Sequence, residues 1–324
     1  MLLPFMNAPL PLSHRSLSRR SFLGSTALLA LPALSATAAE AAPEPIIDIH
    51  QHTNYKGRTN EQLIAHQKAM GVTRTFLLPA GTPMQTPSTH NGKSNGLAAG
   101  TGANQTCTDL SFAHPETFFF FANEVTDSPL ARKTCETFLL KGARGIGEQK
   151  FSVEVDSAAS QELYRLAQDY EVPILLHFQH NTYNLGYERF HTMLEKYPKV
   201  TFIGHAQTMW GYIDKAHQPK DLYPKGKVTP GGITDRYLSD YPNFFADMSA
   251  GSGLNALLRD EEHTRWFLEK HQRKILYGSD CNDTFGRGPG CQGAQTIAAI
   301  RKYAASRDVE RNILYENARK LFGL

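Results

Sequence analysis

The chain has 324 residues, enough to bury a large core in one big domain or two small ones, and no segment recurs at a period that would indicate a repeat array. Its formal charge of +3 comes from the N-terminus, where Arg15, Arg19 and Arg20 stand among residues 1–38 without an acid; the remainder holds 31 basic against 31 acidic side chains. A body so close to neutral gives no electrostatic case for nucleic acid or an acidic membrane surface as partner.

In chain order, the first feature is an export signal. Ser18-Arg19-Arg20-Ser21-Phe22-Leu23 leads into an apolar segment from Leu23 to Leu34 and then Ala36-Thr37-Ala38, an A-x-A cleavage pattern. An arginine pair just before the apolar segment marks the twin-arginine route, with that machinery as a partner. Residues 1–38 are therefore expected to be the signal, and residues 39–324 a mature domain in the periplasm or otherwise exported, starting near Ala39 or Ala42. Gly24, Ser25, Thr26 and Pro32 interrupt a segment already too short to span a bilayer comfortably, which argues against a stable membrane anchor.

Ile46 to His52 reads as a first strand, followed by helical spacing over Asn60 to Met70 with Gly71 as its stop, and a second strand from Thr73 to Leu78. Gly81 to Gln105 is rich in Gly, Ser, Thr and Asn and lacks a periodic apolar face; a loop of this length is expected to be a lid or pocket wall, with disorder as the alternative. Further strands are expected at Phe118–Phe121, Ala143–Glu148, Pro173–Leu176, Val200–Ile203, Asn243–Met248 and Lys274–Tyr277. The intervening helices are Ser128–Leu140, Ser157–Tyr170, Tyr187–Lys196, Ile233–Leu238 and Ala256–His271, with Ala294–Ala304 and Asp308–Phe322 at the end. Eight strands alternating with helices predict an α/β fold, a TIM-type (β/α)8 barrel with a long loop after strand 2. An open doubly wound sheet would need a glycine-rich phosphate fingerprint after the first strand, and His50-Gln51-His52 stands there instead.

Side chains alternate along a strand, so Asp48, His50 and His52 are expected on one side and Ile47 and Ile49 on the other. Two imidazoles on one face can grip one metal ion. Three later apolar runs also end in a ligand-type residue, at His177, His205 and Asp280, and strand C-termini converge on one face of a barrel. Imidazole and carboxylate suit zinc or a similar borderline divalent ion.

These residues carry a resemblance. Ile46-Ile47-Asp48-Ile49-His50-Gln51-His52, Phe202-Ile203-Gly204-His205-Ala206, Gly278-Ser279-Asp280 and Ile313-Leu314-Tyr315-Glu316-Asn317-Ala318 together resemble the amidohydrolase superfamily, in its amidohydrolase-related branch of metal-dependent hydrolases and non-oxidative decarboxylases. The resemblance implies that His50, His52 and His177 bind a divalent metal. It implies that Asp280 is a ligand that also accepts a proton from the attacking water, and that His205 binds a second metal or polarises the substrate. Binuclear relatives bridge two ions at the end of the fourth strand. Glu148 is the candidate there, its alternative being an ion pair with Lys150 or Arg144, so one or two ions are expected, zinc first.

The expected activity is a metal-dependent hydrolase acting on a C–O or C–N bond of a small-molecule substrate. A decarboxylase on the same ligands is the alternative, and a non-catalytic binding barrel the alternative of another class. Trp210 and Tyr212 are candidates for an apolar or stacking wall, with aromatic core contacts as the equal alternative; Lys225, Lys227 and Arg236 are candidates for binding a substrate carboxylate, with solvated surface charge the commoner fate; His180 is expected to line the pocket, and His90 and His114 read as ordinary polar residues. Four cysteines, Cys107, Cys135, Cys281 and Cys291, are too few for a disulfide scaffold and lack zinc-finger spacing. Cys281 and Cys291 either close a disulfide loop just after Asp280 or stand as free thiols.

Replacing Arg19 and Arg20 together by lysine is expected to retain precursor in the cytoplasm while leaving the fold intact. Fractionation and immunoblotting check this; unchanged export would reject the twin-arginine reading.

Overall fold

The computed structural model describes residues 44–89, 95–98 and 100–324; the arginine pair, the cleavage pattern and His90 lie outside them. Eight parallel strands follow in order: β1 (Ile46–Gln51), β2 (Val72–Leu77), β3 (Phe118–Phe120), β4 (Ile146–Gln149), β5 (Ile174–His177), β6 (Phe202–His205), β7 (Phe244–Asp247) and β8 (Ile275–Leu276). β1 to β3 pair as one sheet and β4 to β8 as another, each in sequence order. At one seam Ala122 N–H donates to Gly145 O and Gly147 N–H to Ala122 O, both at 2.8 Å; at the other Ile49 N–H donates to Tyr277 O at 3.1 Å and Asp280 N–H to His50 O at 2.8 Å. Parallel strands with alternating helices fit the expected (β/α)8 barrel.

The helices are α1 (Asn60–Ala69), α2 (Asn104–Ala113), α3 (Ala131–Leu140), α4 (Ala158–Asp169), α5 (His191–Lys196), α6 (Gln207–Gly211), α7 (Ile233–Asp240), α8 (Ala250–Leu258), α9 (Glu261–Lys270), α10 (Gln292–Tyr303), α11 (Arg307–Arg311) and α12 (Asn317–Leu321). Thr59 and Gln62 form a reciprocal capping box at the start of α1, and Ser157 caps α4. The helix expected over Ala256–His271 is two. α8 ends at Leu258, and Asp260 breaks the helix in extended conformation, its carboxylate capping the His263 N–H of α9. α2 and α6 had no expected counterpart. Both are short, and α2 is dominated by Asn, Gln, Thr and Ser, which favour caps and turns, so neither shows a clear apolar stripe.

The described part of the long loop is stitched down by side chains from the segment that follows β3. The Glu124 carboxylate accepts from Thr82 N–H at 2.7 Å and Thr82 Oγ at 2.8 Å, and Asp127 accepts from Thr86 Oγ and from Ser88.

Strand alternation sorts the core into two layers. Ile174, Leu176, Phe202, Ala246 and Ile275 face the helices, whereas Ile47, Ile49, Phe76, Leu175, Ile203 and Leu276 form an inner cluster with Ala318 and Phe322. Two residues beyond Leu175, Ile203 and the partly buried Phe245 stand His177, His205 and Asp247, and His177 lies opposite His205 in the β5–β6 register. The inner file of apolar side chains thus ends in polar ones at the strand C-termini.

Gly204, on the helix-facing side of β6, is tightly enclosed: a methyl group there would come within 2.5 Å of Met209 Sδ and 2.6 Å of Phe244. Gly204→Ala is expected to cost about 1–3 kcal/mol through overpacking. Urea unfolding should show a lower midpoint at unchanged slope; an unshifted midpoint would contradict this packing.

Candidate metal centre

β1 ends irregularly. Its pairing with β2 slips between Asp48 and Gln51, which breaks the simple alternation. The expectation that Asp48 shares a face with His50 and His52 is therefore corrected. Asp48 turns away from the histidines to accept from Gln67 Nε2 of α1 at 2.9 Å and from Ser279 Oγ at 2.5 Å, and its other oxygen accepts from Ser279 N–H at 2.9 Å. This buried carboxylate fastens the segment after β8 to α1, and although these bonds favour its charge, burial dominates and raises its pKa.

His50 and His52 turn toward the ends of the other strands. His52 Nδ1 donates to Leu78 O at 2.6 Å, which leaves Nε2 as the free acceptor. His50 Nδ1 lies 2.6 Å from Asp247 Oδ2, and the same oxygen takes Ser249 Oγ at 2.8 Å and lies 3.2 Å from His205 Nδ1. One carboxylate thereby orients two imidazoles. Gly278 makes room for this: a methyl there would fall 2.4 Å from Asp247 Oδ1 and 2.9 Å from His50 Cβ.

The atoms left facing inward form the candidate centre. His50 Nε2 is 3.4 Å from Glu148 Oε2 and 3.9 Å from Asp280 Oδ1, and His52 Nε2 is 3.6 and 3.3 Å from the same two atoms. The other Glu148 oxygen lies 2.6 Å from His177 Nδ1 and 3.8 Å from His205 Nε2. Glu148 so stands between two donor groups, His50–His52–Asp280 and His177–His205, and not paired with Arg144. His177 reaches Glu148 rather than the first group, and its Nε2 lies 3.2 Å from Gln179 Oε1.

These residues fit a divalent ion. His50 Nε2, His52 Nε2, His205 Nε2, Glu148 Oε2 and Asp280 Oδ1 are all buried with no hydrogen-bond partner, a combination that folded proteins avoid. The separations around His52 match the spacing of about 3.3 Å between tetrahedral ligands at 2.0–2.1 Å from an ion. Charge tells the same story. Burial alone would raise the carboxyl of Asp247, but His50 and His205 hold it down to about 2, and His50 and His52 likewise hold Asp280 well below the usual range. Burial lowers His50, but Asp247, Asp280 and Glu148 together raise it well above its ordinary value. His177, buried and near Lys150, is lowered to about 4.

Around the centre the structure decides between the alternatives for the candidate substrate contacts. Trp210 is a core residue that donates Nε1–H to Asp247 O at 3.0 Å and packs edge-on against Phe267, so it holds the metal-site strand in place and forms no wall. Tyr212 stacks on the buried Tyr187 and bonds Glu188. Lys225 and Arg236 are exposed, and Lys227 pairs with Asp260 and Glu262. Among the described residues the lysine brought toward the centre is instead Lys150, two residues past Glu148 at the end of β4, with its Nζ 5.9 Å from the centroid of the Tyr183 ring. Burial disfavours its charge, yet Glu148 and Asp280 raise its pKa. Tyr55, edge-on to the His52 ring at 5.0 Å, shares the mouth, and its hydroxyl is raised by Asp280 and burial. His180 lines a neighbouring cavity with Gln179, Asn184 and Thr208, and His114 is exposed. Asp247, Ser249 and Tyr55 were not singled out from sequence; Asp247 was legible, since it ends an apolar strand as His205 does.

Among the described residues no helix is long and apolar enough to cross a membrane. No curated protein sequence matches the chain. Solved structures similar to it include an uncharacterised TIM-barrel protein from Bordetella bronchiseptica, 13% identical, covering 86% of this chain and 99% of that one with a TM-score of 0.57. A probable 2-pyrone-4,6-dicarboxylic acid hydrolase from Acinetobacter baumannii is 13% identical over 86% of this chain and 99% of that one, with a TM-score of 0.53. A 5-carboxyvanillate decarboxylase from Novosphingobium aromaticivorans, complexed with manganese and a nitrobenzoic acid, is 16% identical over 82% and 80%, with a TM-score of 0.52. These likenesses establish the barrel, and they include both a hydrolase and a decarboxylase. The amidohydrolase family model matches residues 47–324, nearly the whole described chain, and the chain belongs to that family of metal-dependent enzymes.

Proposed function

We propose that this chain is an exported metal-dependent hydrolase that cleaves a C–O or C–N bond, in an ester, lactone or amide, of a small molecule. The observation that carries the reading is the convergence of five unpartnered buried donor atoms with Asp280 among them. His50, His52, Glu148 and Asp280 would hold a divalent ion, zinc by the chemistry of the set, with His177 and His205 offering a second position that shares Glu148. When bound, such an ion lowers the pKa of a coordinated water to about 7 and polarises a carbonyl.

The chain's own residues do the rest. Asp280 accepts the proton released as water attacks the carbonyl carbon and returns it to the departing oxygen or nitrogen as that bond breaks. Asp247 keeps His50 and His205 aimed by their Nδ1 atoms. Lys150, cationic beside the centre, binds a carboxylate on the substrate. Lys150 also favours a second reading, decarboxylation, because a cationic side chain beside the donor groups can hold a carboxylic acid in place for loss of CO2. Stoichiometric CO2 release from aromatic carboxylic acids, assayed beside hydrolysis of esters, lactones and amides, decides between them.

Asp280→Asn keeps the side-chain shape but cannot take up a proton near neutral pH. The variant is expected to fold and retain substantial metal while kcat falls by roughly two to four orders of magnitude. Metal content, Tm and kcat measured on one preparation test this, and near-normal turnover per bound ion would remove Asp280 from the mechanism.

Asp247→Asn is expected to weaken metal binding about 10- to 100-fold, the usual loss when a carboxylate orienting a ligand histidine is neutralised. Chelator competition measures it. Unchanged affinity would mean that the Asp247–His50 contact serves packing alone.

A further inference from the structure

We infer a second metal site, distinct from the first, in which Cys281, Cys291, His66 and Met70 hold a soft d10 cation, copper(I) or zinc. Cys281 Sγ and Cys291 Sγ are 3.8 Å apart, Cys291 Sγ lies 3.4 Å from His66 Nε2, and Met70 Sδ lies 3.6 Å from Cys291 Sγ. All four residues are buried, and the donor atoms of His66, Cys281 and Cys291 lie within 4.8 Å of one another. Both cysteines are free thiols, and a disulfide would need its sulfurs at about 2.05 Å.

The spacing is that of ligands around an ion. Thiolates about 2.3 Å and an imidazole nitrogen about 2.0–2.1 Å from a tetrahedral centre stand roughly 3.8 Å apart for the sulfur pair and 3.5 Å for sulfur and nitrogen. His66 adds an independent argument. It is fully buried on α1, its Nδ1 has no partner, and its Nε2 faces sulfur, so no carboxylate or carbonyl explains a polar ring in this place.

His66 and Met70 are four residues apart and so project from the same side of α1. Cys291 precedes α10 and caps it, Ala294 N–H donating to Sγ at 3.3 Å, and Cys281 follows Asp280 directly. The donor set is soft, with two thiolates, one imidazole and one thioether and no carboxylate, unlike the first centre; thiolate and thioether select copper(I) and also suit zinc. A fully enclosed set of four is a structural rather than a catalytic arrangement. An ion here ties three separate segments together and fixes the loop that begins at Asp280.

The test is cobalt(II) substitution of the metal-free, reduced mature chain under anaerobic conditions. Thiolate ligation gives an intense near-ultraviolet charge-transfer band and a cobalt–sulfur distance of about 2.3 Å in X-ray absorption, neither of which the nitrogen and oxygen ligands of the first centre can produce. The expected result is both signals in the unaltered chain, retention of both in His50→Ala/His52→Ala, and loss of both in Cys281→Ser/Cys291→Ser. Metal analysis of the His50→Ala/His52→Ala variant as isolated, set beside the same variant carrying Cys281→Ser/Cys291→Ser as well, should then find about one more copper or zinc per chain in the protein that keeps the cysteines, which names the resident ion. No sulfur signal in the unaltered chain, a signal that survives the double serine variant, or a Cys281–Cys291 disulfide in freshly isolated protein overturns the site. The unaltered chain alone decides the matter should the serine variant fail to fold.

Discussion

Three carboxylates, Glu148, Asp247 and Asp280, sit together at the ends of the barrel strands, almost entirely out of water. Such crowding is tolerable only with positive charge among them, because desolvation and mutual repulsion both act against ionised acids. The histidines supply part of it, and Lys150 more. The strand ends fall into place around that requirement: Asp247 takes the outer nitrogens of His50 and His205, Glu148 stands between the two groups of histidines, and Asp280 meets His52 from the last strand. A cation at the centre would relieve the repulsion and occupy the orphaned lone pairs at once.

Much of this architecture was legible in the chain because parallel strands buried on both faces write themselves as short apolar runs, and the histidines end those runs. The β5 and β6 histidines follow directly from alternation, since each stands two positions past an inner-facing Leu175 or Ile203. The same rule points to Asp247 past Phe245, where a carboxylate in an unremarked motif carried less signal than a histidine. Asp48 shows the opposite failure. Alternation alone joins it to His50, but the slip in pairing at the end of β1 is a tertiary event that no local pattern records. Polar helices such as α2 are equally hard to see, being held by contacts such as the bonds between Asn104 and Asn123 rather than by an apolar stripe.

Charge near the site illustrates a second limit of sequence. Lys227 and Arg236 lie in a long connection after a strand bearing a histidine, and proximity in sequence made them candidates for substrate binding. Their positions in space are outward. Lys150 was visible only as a neighbour of Glu148, yet among the described residues it is the lysine whose charge the buried carboxylates Glu148 and Asp280 favour. Which charge is functional depends on which face of the strand end it leaves from, and β4, with a slipped register between Ile146 and Gln149, does not follow the simple alternation.

At the other end of the barrel, the inner cluster is completed from the far end of the chain. Phe322 packs with its ring 4.0 Å from that of Phe76 on β2 and 5.9 Å from that of Phe121 beside β3, and Ala318 joins the same cluster. The strands of the first third of the sequence therefore lack part of their apolar filling until residues near 320 have been synthesised. During translation, a nascent chain stopped before α12 would expose Phe76 and its neighbours to water, making it a substrate for chaperones and proteases. Completion of the barrel is thus tied to synthesis of α12.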